Sequence, residues 1–108
     1  MADDRLVLEY KRKISEGGKC SGRVVRYEND EPSSTLFADV SFKEMLEVFA
    51  WEVQRRPDLP LFYKRIDHLG FEEQPWDPAH VSAFRGDSAK VIEELSTPRV
   101  YGKELKNG

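Results

Sequence analysis

The stretch SFKEMLEVFAWEVQRRP, residues 41–57, decides how this chain is read. Ser41 is followed three residues later by Glu44, the spacing of a capping box, in which a hydroxyl and a carboxylate satisfy backbone N–H groups that a helix start leaves without partners. Val40 before the cap and Met45 after it stand where a hydrophobic staple closes the helix entry. Phe42, Met45, Leu46, Phe49 and Val53 then recur at helical spacing and build one apolar stripe. Arg55 and Arg56 fall in the last turn, where cations complement the helix dipole, and Pro57 disfavours helical backbone just before it. Start, stripe and stop agree on an amphipathic helix over Phe42–Arg56.

One residue of that helix departs from the pattern. At 100° per residue, Trp51 falls roughly opposite Phe42 and the main stripe. Either the helix is central, with Val48 and Trp51 packing under a second layer such as a later helix, or Trp51 is an exposed anchor of the kind enriched at protein interfaces. Packing is the preferred account, because large exposed apolar side chains are uncommon on monomers.

Toward the N-terminus the period is two. In Arg5–Ile14, Leu6, Leu8, Tyr10 and Ile14 alternate with Val7, Glu9, Lys11 and Lys13, which predicts a strand. Ser15-Glu16-Gly17-Gly18 predicts a turn, and Gly22–Glu28 a second strand rich in β-formers. After a polar loop over residues 29–34, Thr35–Ala38 reads as a short third strand, and short connections favour an antiparallel meander. Toward the C-terminus, Asp58 and Pro60 suit the start of a second helix over Leu59–Leu69, with a stripe of Leu59, Phe62, Ile66 and Leu69. Gly70 and Phe71 would close it as a Schellman end. Glu72–Trp76 reads as a loop. Asp77-Pro78 opens a third helix, which either runs unbroken to Ser96 with Val81, Phe84, Val91, Ile92 and Leu95 on one face or, the preferred account, breaks at Gly86-Asp87 so that Asp87 caps a new one; Pro98 ends the region. Arg99-Val100-Tyr101 forms a final strand or docked tail, and residues 1–4 and 103–108 fray.

These elements define a single α+β domain over residues 1–108: a small antiparallel sheet of two to three N-terminal strands packed on one face against three to four helices. Its expected core is Leu6, Leu8, Val25, Phe37, Phe42, Leu46, Phe49, Val53, Phe62, Ile66, Leu69, Phe84, Ile92 and Leu95. A 39% hydrophobic and 34% charged composition with 12 aromatics is that of a folded, soluble domain, not of a disordered chain. The longest apolar runs reach four residues, Val48 to Trp51, far below the ~20 of a membrane span, and the acidic start lacks the apolar region of a secretory signal. A single cysteine, Cys20, cannot form an internal disulfide and fits a reducing compartment, so the expected location is cytoplasmic.

Charge is patchy around a net of −3. Residues 1–27 hold seven Lys/Arg against four Asp/Glu, whereas residues 28–49 hold one against six. Candidate chemistry is thin. His68 and His80 lack a carboxylate placed to form a dyad, since Asp67 and His68 point about 100° apart on a helix. No spacing suits zinc, and Gly17-Gly18-Lys19 lacks the spacing of a phosphate-binding loop. Cys20 has basic neighbours but no nucleophile signature, which favours a packed thiol. No cofactor and no metal are expected.

The leading expectation is therefore a non-enzymatic protein-interaction module, a small regulator or inhibitor, binding another protein through Trp51, Glu44, Glu47 and Arg55 or through the acidic loop Asn29–Glu31. The chain would be a monomer or homodimer. The alternative is nucleic-acid binding by Lys11, Arg12, Lys13, Arg23 and Arg26 on the strands, or by Lys64 and Arg65 on a helix-turn-helix. A sequence pI near 5.4 disfavours it. An enzyme with an unrecognised site is the remaining class.

Overall fold

The computed structural model describes residues 4–13, 17–29, 31–66 and 72–96. Alternating residues at the N-terminus form β1 (Arg5–Lys13), β2 (Lys19–Glu28) and β3 (Glu31–Val40), an antiparallel meander as the short loops require. β1 and β2 pair from Arg5 opposite Tyr27 to Lys13 opposite Lys19. Gly17 and Gly18 carry φ of 72° and 79° in the first turn, a region open to glycine at little cost. The β2–β3 ladder closes at Glu28 opposite Glu31 and shifts register between Cys20 and Gly22. At that shift Asp39 adopts φ 52°, and its N–H donates to Ser21 Oγ at 2.9 Å.

The helix α1 (Phe42–Arg55) forms as its sequence dictates, with the Glu44 N–H donating to Ser41 Oγ at 3.0 Å. It carries the chain across the sheet from β3 to β4 (Leu61–Arg65), which runs parallel to β1 with Leu6 opposite Leu61 and Tyr10 opposite Arg65. β5 (Gln74–Pro75) pairs antiparallel with β4, giving a five-stranded mixed sheet in the order β3-β2-β1-β4-β5. Two helices follow, α2 (Pro78–Arg85) and α3 (Ser88–Ser96). Asp77 caps α2 through the Ala79 N–H at 2.9 Å, with Pro78 in the first turn, and the chain breaks at Gly86-Asp87 as its sequence suggests.

The α+β class holds, but its details change. The sheet has five strands rather than two or three, it is mixed rather than antiparallel, and three helices lie among the described residues. The helix expected over Leu59–Leu69 is replaced by strand β4 through residue 65. The physical reason is the open edge of β1: the Leu6 N–H donates to Pro60 O at 2.9 Å, and the Ile66 N–H to Tyr10 O at 2.8 Å. Without β4, those buried backbone groups of the central strand would lack partners. Gln74-Pro75, read as loop, is a two-residue strand on β4. The expected third strand is longer than Thr35–Ala38, spanning Glu31–Val40. Ile14, the Gly70 and Phe71 helix end, the strand at residues 99–101 and the fraying termini at 1–3 and 103–108 lie outside the described residues.

The core lies between α1 and the sheet and continues under α2 and α3. Leu6, Leu8, Phe37, Leu46, Phe49, Val53, Phe84 and Ile92 are buried there as expected, joined by Val24, Met45, Leu61 and Val91. Phe49 and Trp76 stack with centroids 5.4 Å apart, and Phe84 meets both edge-on at 5.2 and 5.3 Å. The Trp76 indole also donates to Phe62 O at 3.0 Å, which satisfies its one polar atom. Five expected core residues sit elsewhere. Phe42 and Leu95 are half-buried at the margin, and Phe62 is half-buried away from the helix-side cluster. Ile66 is 47% exposed, because β4 turns it away from the helices. Val25 is buried outside that cluster, in register with Val7. Leu69 is outside the described residues. No helix among the described residues is long and apolar enough to cross a membrane.

Candidate functional site

α1 presents two faces for two reasons. Its inner stripe is held to the sheet by apolar burial and by one buried carboxylate. Glu52, 3% exposed, accepts from Thr35 Oγ1 at 2.8 Å and pairs with Arg26 at 3.4 Å, tying α1 to β2 and β3. Such a group is tolerated in the interior only because its oxygens are partnered.

The outer stripe carries Glu44, Val48, Trp51 and Arg55. Trp51 is 59% exposed, so the packing account is overturned: α3 packs beside α1 and does not cover the indole. The Arg55 guanidinium lies over the Trp51 ring, 4.8 Å from its centroid. That cation–π contact restrains the ring in water. Beside it a groove of about 440 Å³ opens between α1 and α3. Glu47, Trp51 and Gln54 form one wall, Ala89 belongs to the other, and Ala50 and Ile92 lie beneath. Small residues at Ala50 and Ala89 leave the space. Gln54 Nε2 donates to Phe84 O, so the end of α2, and with it the start of α3, is held against α1.

Beyond Arg55 the chain turns into β4 through an ion-pair cluster. Arg56 grips Asp58 through Nε at 3.2 Å and Nη2 at 2.9 Å, and also pairs with Glu28. The Arg56 hydrogen bond, aided by backbone hydrogen bonding within Asp58, holds the Asp58 carboxyl below its ordinary range. The same contact raises the Arg56 guanidinium.

The other sequence candidates are dispersed. Asn29 and Glu31 stand at the β2–β3 hairpin tip beside a polar recess of about 230 Å³ that Arg26, Glu28 and Ser33 also line, while Asp30 is outside the described residues. By strand alternation, Lys11, Lys13, Arg23 and Lys64 belong to the sheet face away from α1, and Arg12, Arg26 and Arg65 to the face beneath it. Arg23 pairs with Glu9 at 2.9 Å, Lys13 with Asp39 at 3.4 Å, and Arg26 with Glu28 and Glu52 at 3.4 Å each. Arg12 lies over the Phe42 ring and Arg65 over that of Tyr10. With Lys64 and Arg65 on a strand, the helix-turn-helix geometry has no second helix.

His80 is half-buried, its ring edge-on to Trp76 at 6.3 Å, and His68 is outside the described residues. Cys20 is buried in the core, its thiol donating to Gly18 O at 3.5 Å. Among the described residues, no three His, Cys, Asp or Glu side chains gather as metal ligands.

Glu44, Glu47, Trp51 and Arg55 are thus brought together on α1, whereas Ala89 and Ile92 of α3 complete a groove that sequence reasoning missed. The signal was the short Ser88-Ala89 start of α3, whose small residues mean little until α1 lies opposite. Comparison with family models, with curated proteins and with solved structures finds no match.

Proposed function

We propose that the protein is a non-enzymatic protein-interaction module, a small regulator or inhibitor that binds a partner protein through the outer stripe of α1 and the groove beside it. The observation that supports this reading is Trp51, 59% exposed on the rim of a groove and restrained by Arg55. Burying the rest of a tryptophan that offers 150–250 Å² of area contributes about 2–4 kcal/mol. Little of that is spent on ordering a ring already held in place. The flanking carboxylates of Glu44 and Glu47 and the Arg55 guanidinium supply a polar rim that sets orientation. The buried single Cys20 accords with a reducing, cytoplasmic setting.

The test compares cross-linked captures by the wild-type chain and by Trp51→Ala in the native host. The expected result is a protein recovered with the wild type and lost with the variant, while circular dichroism shows both folded. In a Trp76→Phe background, that protein shifts the remaining Trp51 emission to the blue as the indole leaves water. Identical captures from both chains, or no shift on titration, would reject the reading.

A further inference from the structure

We infer that the partner best matched to the outer stripe of α1 is α1 of a second copy, packed antiparallel across a two-fold axis. This rests on the reading of the stripe as a binding surface and names its occupant. Glu44, Val48, Trp51 and Arg55 follow one another at spacings of four, three and four residues, the seam spacing of paired helices; Glu44, Trp51 and Arg55 are exposed, and Val48 stands half-buried at the margin where it also packs against the core.

The order of charges along this stripe selects both the occupant and its direction. Within the stripe the one acidic residue, Glu44, stands in the first turn and the one cation, Arg55, in the last, while Lys43 and Glu47 lie together on the groove flank. A parallel copy would set Glu44 against Glu44 and Arg55 against Arg55. An antiparallel copy, with the axis at the level of Phe49 and Ala50, sets Glu44 opposite the second copy's Arg55 at both ends. It also sets Val48 opposite the second copy's Trp51 on both sides of the axis. The patch is therefore self-complementary in the sense that a two-fold interface requires. From Glu44 to Arg55 the seam is only about 16 Å long, so the contact falls at the small end of interface sizes and forms a weak dimer. In the dimer Trp51 is covered, and a different partner protein must displace the second copy to reach it.

The experiment measures mass by analytical ultracentrifugation across the micromolar to millimolar range. The wild type is expected to pass from monomer to dimer, and Trp51→Ala to weaken the dimer at least about tenfold, as loss of a central aromatic anchor does. Glu44→Arg alone and Arg55→Glu alone each place like charges at both ends of the seam and remain monomeric. Mixed in equal amounts, these two variants restore every opposite-charge contact and form a one-to-one dimer. Circular dichroism accompanies each chain to show that it is folded. A wild type that stays monomeric, single reversals that still dimerise, or a mixture that fails to associate while the wild type does would each overturn the inference. If the wild type is monomeric but Trp51-dependent capture of another protein persists, the occupant is a segment of that protein, and the proposed function stands without self-pairing.

Discussion

Gly22 shows how one position can be closed to every residue but its own. It sits in β2 where the register shifts, and a Cβ built there would meet Glu9 O at 2.0 Å and Tyr10 Cα at 2.7 Å, both backbone atoms of β1. Backbone cannot swing aside as a side-chain tip can. Gly22→Ala is therefore expected to cost about 3 kcal/mol or more, read as a lower midpoint of chemical denaturation. A midpoint equal to that of the wild type would refute the close approach. Nothing in the local sequence announces this role, since Ser21-Gly22-Arg23 reads as an ordinary strand beginning. Glu52 is a similar case: only the arrival of Arg26 and Thr35 beneath it makes its burial tolerable. Trp51 is the reverse, a residue whose size suggests packing and whose neighbours leave it in water.

Among the elements, α1 was legible because its signals are local. A cap, a staple, a stripe and a terminating proline all lie within 18 residues of chain, and the Ser41–Glu44 hydrogen bond is present as the spacing implies. Ser41→Ala removes that acceptor and is expected to lower stability by about 1 kcal/mol without changing the fold, measurable as a drop in melting temperature. An unchanged melting temperature would mean that tertiary packing alone sets the helix start. β4 was misread because its signal is not local. Leu59, Phe62, Ile66 and Leu69 fit a helical stripe, yet Leu61-Phe62-Tyr63 fits a strand equally well, and short apolar runs cannot be told apart by periodicity. β1 decided the matter. β3 was read too short for a related reason. Its polar half, residues 31–34, lacks strand character, and pairing with β2 down to Glu28 opposite Glu31 brings it into the ladder. Pro32 is tolerated opposite Tyr27 because hydrogen-bonded and non-bonded pairs alternate, and a residue without an N–H occupies a non-bonded one. Its ring thereby blunts the outer edge of β3, where Leu36 is 76% exposed.

At the scale of the whole molecule, the sheet order places β1 at the centre, flanked by β2 and β4, with Leu6, Val7, Leu8 and Glu9 all buried. Native-state hydrogen exchange is expected to be slowest at these amides and fast at β5, a two-residue edge strand. Amides of β1 exchanging as rapidly as those of β5 would show that the sheet is not the stable unit. α1 depends on this sheet, since a 14-residue helix alone is marginal in water. The outer stripe of α1 is thus displayed on a rigid support, which is what a preformed binding surface needs. By itself the sequence determined the α+β class, the meander and α1 with its cap and stop, because each rests on signals a few residues apart, whereas it left the third helix either unbroken to Ser96 or broken at Gly86-Asp87. The tertiary structure alone decided that residues 61–65 extend along β1, that Glu52 is buried, and that Trp51 faces solvent beside a groove shared with α3. Those outcomes depend on which distant backbone edges and side chains must be satisfied or covered, and no local window of the chain contains both partners.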